Sequence, residues 1–231
     1  FGGPLGGGRG GRFRGGWAFY LGPIAGFLAG PEKKNRVLGP EEKRRVAYHE
    51  AGHALVAETV PTGQPVHKIS IIPRGVSALG FTLQLPVEEK YLSTEAELKD
   101  QLAILLGGRV AEQLALGSVS TGAQNDLEKA SEIARNMVCY LGMSEKLGPL
   151  IYGHRQQLQF LSGDVSEQRN YCEETARVVD AEIKQLVENA QTRAMEILSA
   201  KRVLLDRLAE LLQEKEVIQR EDMLALIAQK T

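Results

Sequence analysis

The stretch "AYHEAGHAL", residues 47–55, places His-Glu-x-x-His inside a helix-forming segment, and no other feature constrains the chain as tightly. Residues four apart stack on one helical face. His49 and His53 therefore aim at a single point, with Glu50 about 100° round the axis beside it. Two neutral imidazoles suit a zinc ion. Water acidified by zinc to a pKa near about 7 can give its proton to the adjacent carboxylate as it attacks a polarised carbonyl, which is hydrolytic chemistry, most often of peptides. The flanks agree with a helix. Pro40 stands where a first helical residue would, Glu41 and Glu42 complement the first turn, and Pro61 is a stop. Gly52 between the histidines costs about 1 kcal/mol relative to alanine in a helix, so something is expected to approach closely there.

A chain of 231 residues, 43% hydrophobic and 25% charged, can bury a real core in one or two domains. Its net charge of −1 gives no global reason to expect nucleic acid or an anionic membrane as partner. The two cysteines, Cys139 and Cys172, lack metal-ligand spacing and read as buried free thiols of a reducing compartment.

Residues 1–30 differ in kind from the rest of the chain. Glycine dominates them, with Arg9, Arg12 and Arg14 interspersed, and the apolar run from Trp17 to Ala29 is shorter than the roughly 20 residues that span a bilayer. A flexible leader or linker is expected, foreign or membrane-proximal, rather than an RNA-contacting tail or a cleavable signal. After the motif helix, "PVHKISIIPRG" and "ALGFTLQLP" read as two short strands of a hairpin. Everything beyond is expected to be helical. Thr94 with Glu97 forms a capping box opening a helix that Gly117 closes. The next helix, "NDLEKASEIARNMVCYLG", sets Leu127, Ala130, Ala134, Met137, Val138 and Leu141 on one face before Gly142. A long amphipathic stretch runs from about Ser166, and a short helix, "REDMLALIAQ", closes the chain.

A catalytic zinc takes three protein ligands and keeps one position open, so one more is needed. The metzincin extension is excluded, because Val56 and Thr59 stand where it requires a glycine and a histidine. His67, at the start of a strand, and His154, in a loop, read as structural or surface residues. Two carboxylates remain: Glu112 on the helix "GGRVAEQLALG" and Asp126 in "TGAQNDLEKA", where the next helix opens. Spacing hardly separates them.

The strings "RRVAYHEAGHALVAETVP", "PVHKISIIPRG", "LLGGRVAEQLALG", "STGAQNDLEKASEIARNMV" and "LGMSEKLGPL", in that order from about Gly30 onward, resemble the peptidase domain of the FtsH family of membrane-anchored, ATP-dependent zinc metalloproteases. The resemblance implies a mainly α fold: a helical zinc-metalloprotease domain over residues 31–231, a small β-hairpin or sheet beside the HExxH helix, and a long C-terminal helical bundle. It implies one Zn2+ per chain on His49, His53 and Asp126, Glu50 as general base, and Glu112 beside the site. The implied activity is endoproteolysis of unfolded or membrane-extracted polypeptides, with the strand pair adding a substrate strand. The implied partners are five further copies in a hexamer, an AAA+ module and a membrane anchor, with the peptidase domain on the cytoplasmic or organelle-interior side.

No G-x-x-x-x-G-K-[ST] loop occurs, so no ATP site is expected in these residues. The glycine-rich leader stands where the family carries its AAA+ module. The chain is expected to be either an excised domain or a protease without its motor, and soluble in itself. A rival reading, an oligomerisation module with a relic site, conflicts with the intact Glu50.

Overall fold

The computed structural model describes residues 38–73, 80–84, 91–157, 165–168 and 170–228. The expectations for residues 1–30 fall outside them. Helix α1, Pro40–Ala57, has Pro40 in its first turn and is buried continuously from Val46 to Ala57. It is followed by strands β1, Val66–Ser70, and β2, Phe81–Gln84, which pair antiparallel as the expected hairpin unit. Helix α2, Glu95–Leu116, opens with the Thr94–Glu97 capping box and ends at Gly117 in the left-handed conformation, φ 67°. A 3-10 turn, Thr121–Ala123, leads into α3, Gln124–Cys139. Strands β3, His154–Gln157, and β4, Val165–Gln168, form a separate antiparallel pair. Helices α4, Glu173–Ala200, and α5, Arg202–Lys215, follow. Strand β5, Val217–Gln219, and α6, Arg220–Ala228, complete the described chain.

The mainly α architecture with a small sheet beside α1 is as expected, but the region after β2 is not all helix. β5 adds to β1, pairing Ile218 with Ile69, so the sheet has three strands in the order β2-β1-β5. β4 occupies residues at which the long helical stretch was expected to begin. That stretch starts at Glu173 and is broken at Lys201, whose ψ of 27° leaves the helical range, so it becomes α4 and α5. His154 opens β3 rather than lying in a loop. Leu141 falls beyond the end of α3 and is half exposed, because Gly142, at φ 62°, turns the chain three residues after the helix stops. Cys139 is buried, whereas Cys172 is exposed; it is the N-cap of α4 and precedes the buried face instead of sharing it.

The core lies where α1 is enclosed. Leu205, Leu208 and Leu212 of α5, Leu102, Leu106 and Val110 of α2, and Ile69 and Ile218 of the sheet all pack into one cluster with it. Ile183, Leu186 and Val187 of α4 cover the same cluster, so the apolar stripe of that helix is largely used by its own domain. Polar ties fix the packing. Arg202 donates to the Leu114 carbonyl near the end of α2, and Tyr48 donates to Asp206 across α1 and α5. Arg220 and the Val66 backbone N–H both donate to Glu58, which caps the exit of α1. Among the described residues, no helix is long and apolar enough to cross a membrane.

Candidate metal centre

The crossing of α1 and α2 is built from residues without side-chain bulk. A Cβ on Gly52 would lie 2.4 Å from the Gly107 carbonyl oxygen and 2.6 Å from the Ala111 Cβ. The close approach expected at Gly52 is therefore the backbone of α2. One residue on, a Cβ on Gly108 would lie 2.5 Å from His53 Nε2 and 2.7 Å from His49 Nε2. The Gly107–Gly108 pair went unread in the sequence, although two adjacent glycines inside a helix, each costing about 1 kcal/mol, were the available signal.

With the helices this close, α2 reaches the far side of both imidazoles. His49 Nδ1 lies 2.9 Å from Glu112 Oε1, and His53 Nδ1 lies 2.8 Å from the Ile104 carbonyl oxygen. Both partners are acceptors, so Nδ1 is the protonated nitrogen of each neutral ring, and the two Nε2 atoms are left to face Asp126 or a cation. Those two nitrogens are 3.0 Å apart. Asp126, in the first turn of α3, brings Oδ2 to 3.2 Å from His49 Nε2 and 3.4 Å from His53 Nε2. These three edges come within about 0.3 Å of a tetrahedral face around a zinc with bonds of about 2.0–2.2 Å, whose ligand atoms sit roughly 3.3–3.5 Å apart. Among the described residues, this is the one cluster of three or more His, Cys, Asp or Glu side chains that can hold a metal ion. The side chains of His49, His53 and Asp126 are 11%, 11% and 18% exposed, so the cluster keeps an open side for a reactant.

Glu112 does not join that triangle. Its buried carboxylate accepts from His49 on Oε1, from Ser120 on the same oxygen at 3.0 Å, and from Arg45 on Oε2 at 2.9 Å. Burial would raise its pKa, but these hydrogen bonds hold it below the usual carboxylate range. Ser120 also accepts from the Gly122 N–H and so caps the 3-10 turn that delivers Asp126. Arg45 reaches on to the Ser118 carbonyl and hydroxyl. Glu112 thus ties the histidine helix to the segment carrying the aspartate. Neither Arg45 nor Ser120 was legible as a site residue, because their roles exist only through Glu112.

The electrostatics favour a cation. Burial opposes charge on His49, yet hydrogen bonds to Asp126 and Glu112 and the nearby Glu50 overcome it and push the imidazole up to about 10. Burial likewise works to raise Asp126, and the hydrogen bonds from His49 and His53 hold it well below the usual range instead. Glu50 is raised, because burial outweighs the attraction of the two imidazoles and the hydrogen bond from Thr82. The carboxyl groups of Glu50, Glu112 and Asp126 face one guanidinium, that of Arg45, and the charge on His49, whose place a divalent ion can take. His67 sits on β1 and is not part of the cluster, and His154 sits on β3. A surface depression of about 540 Å³ lined by residues such as Ser120, Gln124 and Leu127 adjoins the start of α3 but contains none of the three clustered residues.

Residues 36–226 match the family described as Peptidase family M41. The chain is 66% identical over 212 residues to the ATP-dependent zinc metalloprotease FtsH of Methylococcus capsulatus, covering 92% of this chain and 33% of that protein. It is 52% identical to the protein of the same name from Thermotoga maritima, covering 88% and 33%, and 49% identical to FtsH 4 of Synechocystis, covering 87% and 32%. The chain therefore spans about one third of the length of the curated relatives it matches.

Proposed function

The chain belongs to peptidase family M41, and from that membership and the convergence at α1 and α3 we propose that it is a zinc-dependent endopeptidase with one zinc ion per chain. His49 and His53 contribute Nε2 and Asp126 contributes Oδ2. The observation that carries this reading is that both Nδ1 atoms are already spoken for, which leaves the two Nε2 atoms to converge with the carboxylate of Asp126. When bound, zinc supplies Lewis acidity that polarises a peptide carbonyl and brings the pKa of water down to about 7. Glu50 takes the proton of the attacking water and returns it to the leaving amine. Its burial raises the carboxyl's affinity for that proton. Glu112 and the Ile104 carbonyl hold the two rings in the tautomer that ligation requires.

The substrates are unfolded or membrane-extracted polypeptides, presented in extended form along β2, the outer strand of the sheet order β2-β1-β5. Residues 31–231 form the peptidase unit and residues 1–30 its leader. The relatives' names call them ATP-dependent, and these 231 residues contain no phosphate-binding loop. We assign that dependence to an AAA+ module and membrane anchor working with this unit, in a ring of six. Family membership supports the ring, as do Leu141, Leu150 and Ile151, which are 51%, 60% and 63% exposed at the end of α3 and the segment after it. The α4 stripe does not, since its own core covers it. Light scattering at micromolar concentration should return more than the monomer mass.

Zinc content and cleavage of casein, measured on three variants, test the assignments. Glu50→Gln should retain zinc and lose cleavage, and Asp126→Asn should lose zinc. Glu112→Gln should weaken affinity or activity by about 10- to 100-fold. Full zinc in Asp126→Asn with loss only at Glu112 would overturn the ligand set.

A further inference from the structure

Glu50 is held by a strand as well as by its own helix. Thr82 Oγ1 donates to Glu50 Oε2 at 2.9 Å. Two residues earlier on the same strand face, the backbone of Gly80 lies so close that an added Cβ would be 2.7 Å from Glu50 Oε1 and 2.9 Å from its Cγ. One carboxylate oxygen therefore accepts a hydroxyl, and beside the other there is no room for a side chain at position 80. The register explains why Thr82 faces the helix. It pairs with Ile69, whose side chain is buried in the core, so the two project to the same side of the sheet. Gly80 is required here because its backbone also lies against the Ser70 carbonyl, within 2.9 Å of where a Cβ would stand.

From this grip we infer that Thr82 and Gly80 are positioning residues for the base: β2 fixes the rotamer in which the Glu50 carboxylate is presented to the His49–His53–Asp126 centre. The inference rests on the reading of Glu50 as general base. A free glutamate side chain loses rotamer freedom when it acts, and a carboxylate already clamped does not. The clamp belongs to the strand on which substrate is proposed to lie, so the element that receives the peptide also sets the base.

The test uses the 231-residue chain loaded with zinc and a fluorogenic peptide. Thr82→Val keeps the β-branched shape and removes the donor. It should lower kcat by about 10- to 100-fold, leave KM within about 2-fold, and leave zinc affinity, measured by chelator competition, and the Tm at wild-type values. Thr82→Ser should restore kcat to within about 3-fold, because it restores the donor. Gly80→Ala, which crowds the carboxylate and also the Ser70 carbonyl, should lower both kcat and Tm without loss of zinc, and Thr82→Ala, which adds no atom, decides the matter if Thr82→Val folds poorly. Wild-type kcat in Thr82→Val, an effect on KM alone, weakened zinc binding, or no recovery in Thr82→Ser would each overturn the inference. Glu50→Gln is run beside them. Activity surviving in that variant refutes the general-base reading itself, an outcome distinct from failure of the clamp.

Discussion

Replacing Gly108 by alanine should detach the metal without unfolding the chain. The added methyl would stand 2.5 Å from His53 Nε2 and 2.7 Å from both Nε2 and Cε1 of His49, against about 3.5 Å for an ordinary contact. Each ring must retreat by roughly 1 Å, and ligand distances in a zinc site tolerate about 0.2 Å. The rings cannot swing aside cheaply, since their Nδ1 atoms are held by Glu112 and by the Ile104 carbonyl of the same helix, one turn before Gly108. Nor can α2 back away cheaply, because its Leu102, Leu106 and Val110 are packed into the core. Loss of an outer partner of a ligand costs 10- to 100-fold in affinity, and displacing the ligand nitrogens themselves should cost at least about 100-fold, or about 2.7 kcal/mol. The metal-free fold should lose about 1–3 kcal/mol to this overpacking, offset by up to about 1 kcal/mol that alanine gains over glycine in a helix. Chelator competition gives the zinc affinity, and thermal unfolding in excess chelator gives the stability of the metal-free fold. Gly52→Ala is the contrast: its methyl meets the Gly107 carbonyl and Ala111 rather than a ring, so it should cost about 1–3 kcal/mol with or without zinc. Wild-type zinc affinity in Gly108→Ala would refute the placement of the imidazoles.

Two further outcomes arise from the charges at the centre. In the metal-free chain the His49 pKa is raised to about 10 from an ordinary value of 6.5, so its contribution to stability is fully present below about pH 6.5 and lost as pH rises toward 10. Tm in excess chelator should fall between pH 7 and 9.5 and fall less in His49→Gln, and equal slopes in the two proteins would contradict it. Zinc loading at pH 8 should correspondingly release about one proton per chain, read by calorimetry in buffers of different ionisation enthalpy. Ser120→Ala removes both the cap of the 3-10 turn and one donor to Glu112. It should cost about 1 kcal/mol of stability and weaken zinc binding, although Ser120 is no ligand, and unchanged zinc affinity would show that Asp126 is held without it.

The histidine-bearing part of α1 could be read from the sequence because it is local: an i, i+4 pair on one helix needs only helical geometry, and Pro40, the Thr94–Glu97 box and Gly117 act through neighbours in the chain. Strands β3, β4 and β5 could not, since "HRQQ", "VSEQ" and "VIQ" are short and carry no alternating pattern long enough to register; β5 is a strand only because β1 offers it an edge. The break at Lys201 is equally a tertiary outcome, in which α5 folds back to cover α1 instead of prolonging α4. At the site, spacing left Glu112 and Asp126 undivided, because both lie more than 60 residues from His49 and only the folded chain sets which oxygen meets which nitrogen. Tertiary structure put Glu112 behind the ring at Nδ1 and Asp126 in front of it at Nε2. Arg45, Ser120, Thr82 and the Gly107–Gly108 pair entered for the same reason: each acts on a residue distant in sequence, and a contact of that kind comes into being only when helices and strands pack.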